Sequence, residues 1–212
     1  MNARRPLALL LAGLLLAACS PLPSLPSKPQ AMHLLTLEAS PPPAPAAPRL
    51  PHTLLLAHVD AVPTLRSPDL LYRRGGPVVH RYAFHRWVTT PAELLDQVLV
   101  ETLAPRLPYA GVVLPEQGLP AGRALSLTLL RLEQDFEDDR HSQLRLAVRA
   151  ELIDLDHDRI LATRHFHYRV PTPEASPLGA ARAAGQAVSR LLRDLPPWLL
   201  AAEGGTSAAA PP

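Results

Sequence analysis

The chain of 212 residues holds one cysteine, Cys19, which excludes an internal disulfide and a cysteine-based zinc site. A Gly-x-Ser-x-Gly elbow, a phosphate-cradling glycine loop and a catalytic cysteine are all missing, so the sequence reads as non-catalytic with no cofactor implied. Excess charge is also lacking. The formal +2 comes from Arg4 and Arg5, because residues 1–18 carry no acid. From Cys19 onward 19 basic side chains meet 19 acidic ones, a balance that argues against nucleic acid as a partner. After Cys19 no run is apolar for the roughly 20 residues that a membrane-spanning helix needs. Aromatic residues number only nine, so where they gather is informative.

The amino terminus is the clearest signal present. Arg4 and Arg5 precede a 12-residue apolar run, Leu7 to Ala18, too short to span a bilayer but suited to the core of a secretory signal. Ordinary signal cleavage prefers small residues at −1 and −3, and a cut before Cys19 would leave bulky Leu16 at −3. Leu16-Ala-Ala-Cys19 instead resembles a bacterial lipobox, with Cys19 lipidated on sulfur and acylated on its amine. Several acyl chains give lasting attachment where one would be marginal. By similarity to lipoproteins of this type, Ser20 rather than Asp after the cysteine favours the outer membrane, periplasmic face.

Ten prolines between residues 20 and 51 make this stretch a semi-rigid spacer, in which apolar Met32 to Leu37 could add an edge strand. The organisation expected is a signal peptide over 1–18, anchor and linker over 19–51, one folded domain over 52–198 and a disordered tail over 199–212.

Within the domain, Thr53 to Val62 is apolar on both faces and reads as a central strand. Ser67 to Pro77 reads as a loop ending in a Gly75-Gly76 turn, followed by a strand from Val78 to Phe84. Thr90, Pro91 and Glu93 spell a capping box opening a helix with Leu95, Leu99 and Leu103 on one stripe, ended or kinked by Pro105. A short strand at Val112–Leu114 precedes a long one, Ala124–Phe136, whose alternation slips between Leu129 and Leu130, as a bulge or a strand covered on two faces would make it. A hairpin follows, Leu144–Leu152 and Ile160–Val170, with Ile160, Ala162, Phe166, Tyr168 and Val170 assigned to one face. Ser176 caps a last helix that Pro196-Pro197 should stop, and small Ala180, Ala184 and Gly185 would let it lie close to a sheet. The fold class expected is α+β: a mostly antiparallel sheet with two helices packed on one face.

Three polar groups invite a chemical reading. Asp154-Leu-Asp156-His-Asp158 alternates acids as a calcium loop does, but Arg159 and His165 stand where glycine and glutamate are required, so it reads as a hairpin turn. His165 and His167 share a strand face and could meet His80 or His85 at a metal, although solvent exposure explains them equally. Glu133, Asp135 and Glu137–Asp139 read as a solvated turn beside Arg131 and Arg140.

Four of the nine aromatics, Tyr72, Tyr82, Phe84 and Trp87, fall within 16 positions and interleave with Arg73, Arg74, Arg81 and Arg86. Such a cluster is either a core edge or a docking face, since aromatics and arginine are favoured at interfaces. The candidate partner-binding residues are Tyr72, Arg73, Tyr82, Arg86 and Trp87. Here the chain resembles the ABC-type transport auxiliary lipoproteins, the PqiC-like family. The likeness rests on the lipobox, Leu70-Leu-Tyr-Arg73, Tyr82 through Trp87 with the capped helix, and Leu129 through Phe136, over about residues 31–198. It departs at Met32-His33, where family members usually carry aromatics. The resemblance implies a non-catalytic subunit of an envelope lipid-transport system, beside an MCE-type substrate-binding protein and an ABC permease and ATPase that move phospholipid. It leaves open whether further copies of the chain associate. Rival readings are a lipid-binding carrier with its own cavity and an assembly or pilot lipoprotein for an outer-membrane complex.

Overall fold

The computed structural model describes residues 30–42 and 50–207, with side chains to 204. Cys19, the lipobox and the expected signal peptide lie outside the described residues.

The longest strand, β7 (Arg123–Phe136), organises the sheet. Along one edge it pairs antiparallel with β8 (Ser142–Asp154), which pairs antiparallel with β9 (Arg159–Pro171). Along the other edge three short strands follow one another, all parallel to it: β2 (Leu50–Leu56), β3 (Asp60–Ala61) and β4 (Asp69–Arg74). Beyond β4 lies antiparallel β5 (His80–Trp87), then β1 (His33–Leu35), parallel to β5. β6 (Tyr109–Val113) pairs parallel with β2 at the far side. The fold is α+β in one domain, but the sheet is mixed rather than mostly antiparallel. The apolar periodicity marked the strands without fixing partners, and connections that cross over return three of them parallel to β7.

The expected Thr53–Val62 strand is two strands. Ala57 and Val62 donate their N–H groups to Leu125 and Leu129 of β7, while the intervening residues loop out and Val59 N–H reaches Asp96 at 3.3 Å. The expected loop over Ser67–Pro77 contains β4, because Leu70 and Leu71 are buried; only its end is a turn, with Gly75 and Gly76 at φ +67° and +65°. The short strand begins at Tyr109, earlier than expected, and Tyr109 is buried. The bulge in β7 is present: register shifts between Leu129 and Arg131, leaving Leu130 unpaired. A second shift separates Leu152↔Ala162 from Ile153↔Ile160, so Ile160 turns to solvent, 58% exposed, away from the face shared by Phe166 and Val170.

The first helix, α1 (Pro91–Val98), has the expected cap: Glu93 N–H donates to Thr90 Oγ1 at 3.3 Å and Thr90 N–H to Glu93 Oε2 at 3.2 Å. It continues as a π-helical turn, Leu99–Leu103, and a 3-10 turn carrying Pro105. The second, α2 (Pro177–Ser207), starts where Ser176 Oγ accepts Gly179 N–H at 3.0 Å. Its inner stripe, Ala180, Ala184, Ala187, Leu191 and Leu195, is fully buried against β8 and β9.

Contrary to expectation, α2 runs through Pro196-Pro197. Each proline removes a helical hydrogen bond, to the Leu192 or Arg193 carbonyl, at a cost of order 3 kcal/mol. Beyond them, burial of Trp198 and Leu199 and an ionic anchor at Glu203 offset that loss. The body therefore extends past residue 198, and the tail does not begin at 199. It also begins before residue 52, since Leu35 and Leu37 are in the core.

Gly185 meets the segment after β1 rather than the sheet. A Cβ there would stand 2.0 Å from the Glu38 carbonyl oxygen, and Ser40 N–H donates to Ser189 Oγ at 2.8 Å one turn on.

Candidate partner-docking face

β4 and β5 place the five candidate residues on different sides of the sheet, and the two sides do different work. On the inner side, half-buried Tyr72 lies 4.6 Å from Tyr82 and 5.1 Å from His80 between ring centroids, and meets Phe136 edge-on at 5.9 Å. Tyr82 donates its hydroxyl to Gln134 Oε1 at 2.6 Å. Gln134, fully buried, passes the chain on to Ser142 Oγ at 2.7 Å, and Ser142 to Thr172 at 2.6 Å. Burial, with Tyr72 alongside, pushes the Tyr82 phenol up to about 12. This ladder ties β5 to β9 and is structural.

Trp87 is 1% exposed and registered to buried Leu35, so it belongs to the core and offers no surface to a partner. Its indole Nε1 is buried without a hydrogen-bond partner among the described residues. Arg73, on the opposite side from Tyr72, is also committed to the fold: its Nε donates to both oxygens of Glu133, at 2.9 and 3.0 Å, and Arg131 approaches the same carboxylate at 3.4 Å. Glu133 is 5% exposed, so this acid is not part of a solvated turn as its sequence context suggested.

Arg86 alone among the five faces solvent with no side-chain hydrogen bond or ion pair among the described residues. Its register partner on β1 is Leu34, 55% exposed. Phe84 and Val88, two residues to either side of Arg86, are 40% and 54% exposed, and Met32, two residues before Leu34, is 48% exposed. The result is a free guanidinium ringed by four exposed apolar side chains. β1 pairs only with β5 among the described residues, so this patch borders an open strand edge. Phe84 was legible as part of the aromatic cluster; Met32 and Leu34 were not, because nothing local announces that β1 lies parallel against β5.

His33 and His85 stack at 4.8 Å where β1 meets β5, and burial, with His33 beside it, holds His85 below the usual histidine range. His165 and His167 stack at 6.3 Å on β9. Among the described residues no group of three or more His, Cys, Asp or Glu is placed to hold a metal. The Asp154 turn is a structural hub: Asp154, 1% exposed, accepts from Arg123 Nη1 and lies 3.0 Å from His157 Nδ1. Among the described residues no helix is long and apolar enough to cross a membrane.

The fold is similar to the crystal structure of protein XCC0632 from Xanthomonas campestris, with TM-score 0.71 at 21% identity, covering 84% of this chain and all of that one. A second crystal structure, of an uncharacterized protein, aligns with TM-score 0.59 at 14% identity over 77% of this chain and 99% of that one. At these identities the likeness establishes the fold. No curated protein matches the sequence. The family model described as ABC-type transport auxiliary lipoprotein component matches residues 34–195, from β1 to the last buried leucine before Pro196. With that match covering nearly all of the sheet, α1 and α2 as far as Leu195, the chain belongs to the ABC-type transport auxiliary lipoprotein family.

Proposed function

We propose that this protein is a non-catalytic subunit of an envelope ABC/MCE-type lipid transport system, fastened to the periplasmic face of the outer membrane through acylated Cys19. The proline-rich spacer sets its reach, and the partner is an MCE-domain protein working with an ABC permease and ATPase on phospholipid. The observation that carries the docking part of this reading is unpaired Arg86 amid Met32, Leu34, Phe84 and Val88 at the open edge of β1. Apolar area with a central arginine is the composition expected of an interface core. An open strand edge adds backbone donors and acceptors that a partner strand can pair.

Affinity capture of the lipidated chain from cross-linked envelopes tests it. The native chain should recover an MCE-domain protein, and Arg86→Glu with Leu34→Ser should lose it while keeping the fold and the lipid. Recovery of barrel or secretin subunits with no MCE-domain protein would replace this reading with that of a pilot lipoprotein.

A further inference from the structure

The outer face of β7, β8 and β9 carries a second feature, on different strands from the Arg86 patch and independent of it. Arg131, Ala147 and His167 stand side by side in register, and the adjacent row on the same face is Glu133, Arg145 and Arg169. Ala147 is the small member, so the four long side chains around it wall a pit of about 320 Å³. The lining contains Arg131, Arg145, Arg169 and His167 and no acid.

Direct opposition of two arginines across neighbouring strands is unfavourable unless something neutralises it. The fold neutralises only part. Arg145 pairs through Nη2 with Asp135, and Arg131 Nε lies 3.4 Å from Glu133. Arg145 Nε is buried with no hydrogen-bond partner among the described residues. Arg169 and His167 make no side-chain hydrogen bond or ion pair among the described residues. Arg169 and His167, with the guanidinium groups of Arg131 and Arg145 that are only partly neutralised, thus line one small pit. Arginine forks match the oxygens of a phosphate better than a lysine point charge does, and every basic residue after Lys28 other than histidine is arginine.

Beside the pit lies a groove of about 490 Å³ in which Leu71, Val79 and Leu132 stand with the paired charges Arg73–Glu133 and Arg81–Asp69, and which shares Leu130 and Arg131 with the pit. Leu130 is the bulged residue of β7, so the one irregularity of that strand stands where cationic pit meets partly apolar groove.

We propose that this pit binds a phosphate-ester anion, with Arg131, Arg145 and Arg169 as its ligands and Ala147 as its floor. The ester is either the headgroup of a phospholipid, whose chain would follow the groove, or a small soluble compound. The test is calorimetric titration of the mature lipidated chain, in a neutral phosphate-free detergent, with glycerol phosphate and separately with dihexanoyl-phosphatidylglycerol. Binding at millimolar concentration or below is expected, weakened about tenfold or more by Arg169→Gln with Arg131→Gln and unchanged by Arg140→Gln in the exposed hairpin. Tighter binding of the short-chain lipid assigns a lipid source, and equal binding a soluble one. Because the Arg169 side chain holds no partner among the described residues, the single Arg169→Gln variant should keep the fold, which the urea midpoint checks, and by itself should weaken binding several-fold. No heat from either titrant, or binding indifferent to all these substitutions, overturns the proposal.

Discussion

Arg123, the first residue of β7, is clamped to Glu203, in the last turns of α2, through Nε–H at 3.2 Å from Oε1 and 3.3 Å from Oε2. Both side chains are more than nine-tenths buried, and the same carboxylate accepts the Tyr109 hydroxyl at 3.2 Å. Burial, with Glu203 alongside, pushes the Tyr109 phenol well above the usual tyrosine range. Asp154 completes the cluster: burial alone would raise its pKa, but the His157 hydrogen bond and the Arg123 charge bring it below the usual carboxylate range. The fold thus knots the end of its last helix, the start of its central strand and the β8–β9 turn into one ionic hub.

Glu203→Ala takes from Arg123 the carboxylate that holds its Nε, leaving Asp154 at 3.0 Å and Asp156 at 3.9 Å, and strips Tyr109 of its acceptor. Breaking a buried pair from one side costs about 3–5 kcal/mol. The urea midpoint should fall accordingly, and truncation after Trp198 should lower it at least as far. An unchanged midpoint in both would mean that the residues beyond the proline pair contribute nothing.

Gly185→Ala drives a methyl group into the Glu38 carbonyl, backbone against backbone, so neither side can yield by a rotamer change. The segment carrying Leu35 and Leu37 should lift from α2, with a loss of about 1–3 kcal/mol. Hydrogen exchange at Leu35 and Leu37 should accelerate, while fully buried Leu127 and Val148 on the central strands stay protected.

Two histidines should respond to pH with opposite sign. His58 sits 2.9 Å from Asp96, whose hydrogen bond and charge raise it above 6.5. It binds its proton more tightly folded than unfolded, so its contribution is fully present below pH 6.5 and lost as pH rises through the higher folded value. The pair is exposed, which limits it to under about 1 kcal/mol. His85 is lowered, so the unfolded chain takes its proton first, and stability falls as pH drops from 6.5 through the lower folded value. Imidazole titration by NMR should place the two on either side of 6.5, and acidification should speed amide exchange at Leu34 and Leu35.

Trp87→Ala should act on stability and not on partner choice. Emptying a 1% exposed indole site costs about 3–5 kcal/mol. Urea unfolding measures it, and a variant that keeps its midpoint but loses capture of the partner would return Trp87 to the docking surface.

Local chemistry made much of this fold legible. The Thr90–Glu93 box, the Ser176 cap, the Leu130 bulge and the long β8–β9 hairpin depend on neighbours in sequence, and each stands where its signal put it. What the sequence hid is long-range. Parallel pairing of β2, β3 and β4 with β7 leaves no turn signature, so the sheet read as more antiparallel than it is. Pro196-Pro197 read as a stop because the tie from Glu203 to Arg123 spans 80 residues and outweighs a local rule. The aromatic cluster was visible as a cluster, but its division between an inward ladder and an outward Arg86 follows from the register shift between Asp69 and Leu71. Alternation alone could not place it.

The most direct test of the account is site-specific photocrosslinking in intact cells, with a benzophenone side chain at Phe84 in one strain and at Ile160 in another. Both positions are exposed, and they lie on strands far apart in the sheet. Irradiation should join the chain to an MCE-domain protein from position 84 and not from position 160. Adducts to that protein from position 160 alone, or none from either while the chain is acylated and abundant in the envelope, would contradict the assignment of the β1–β5 edge as the docking face.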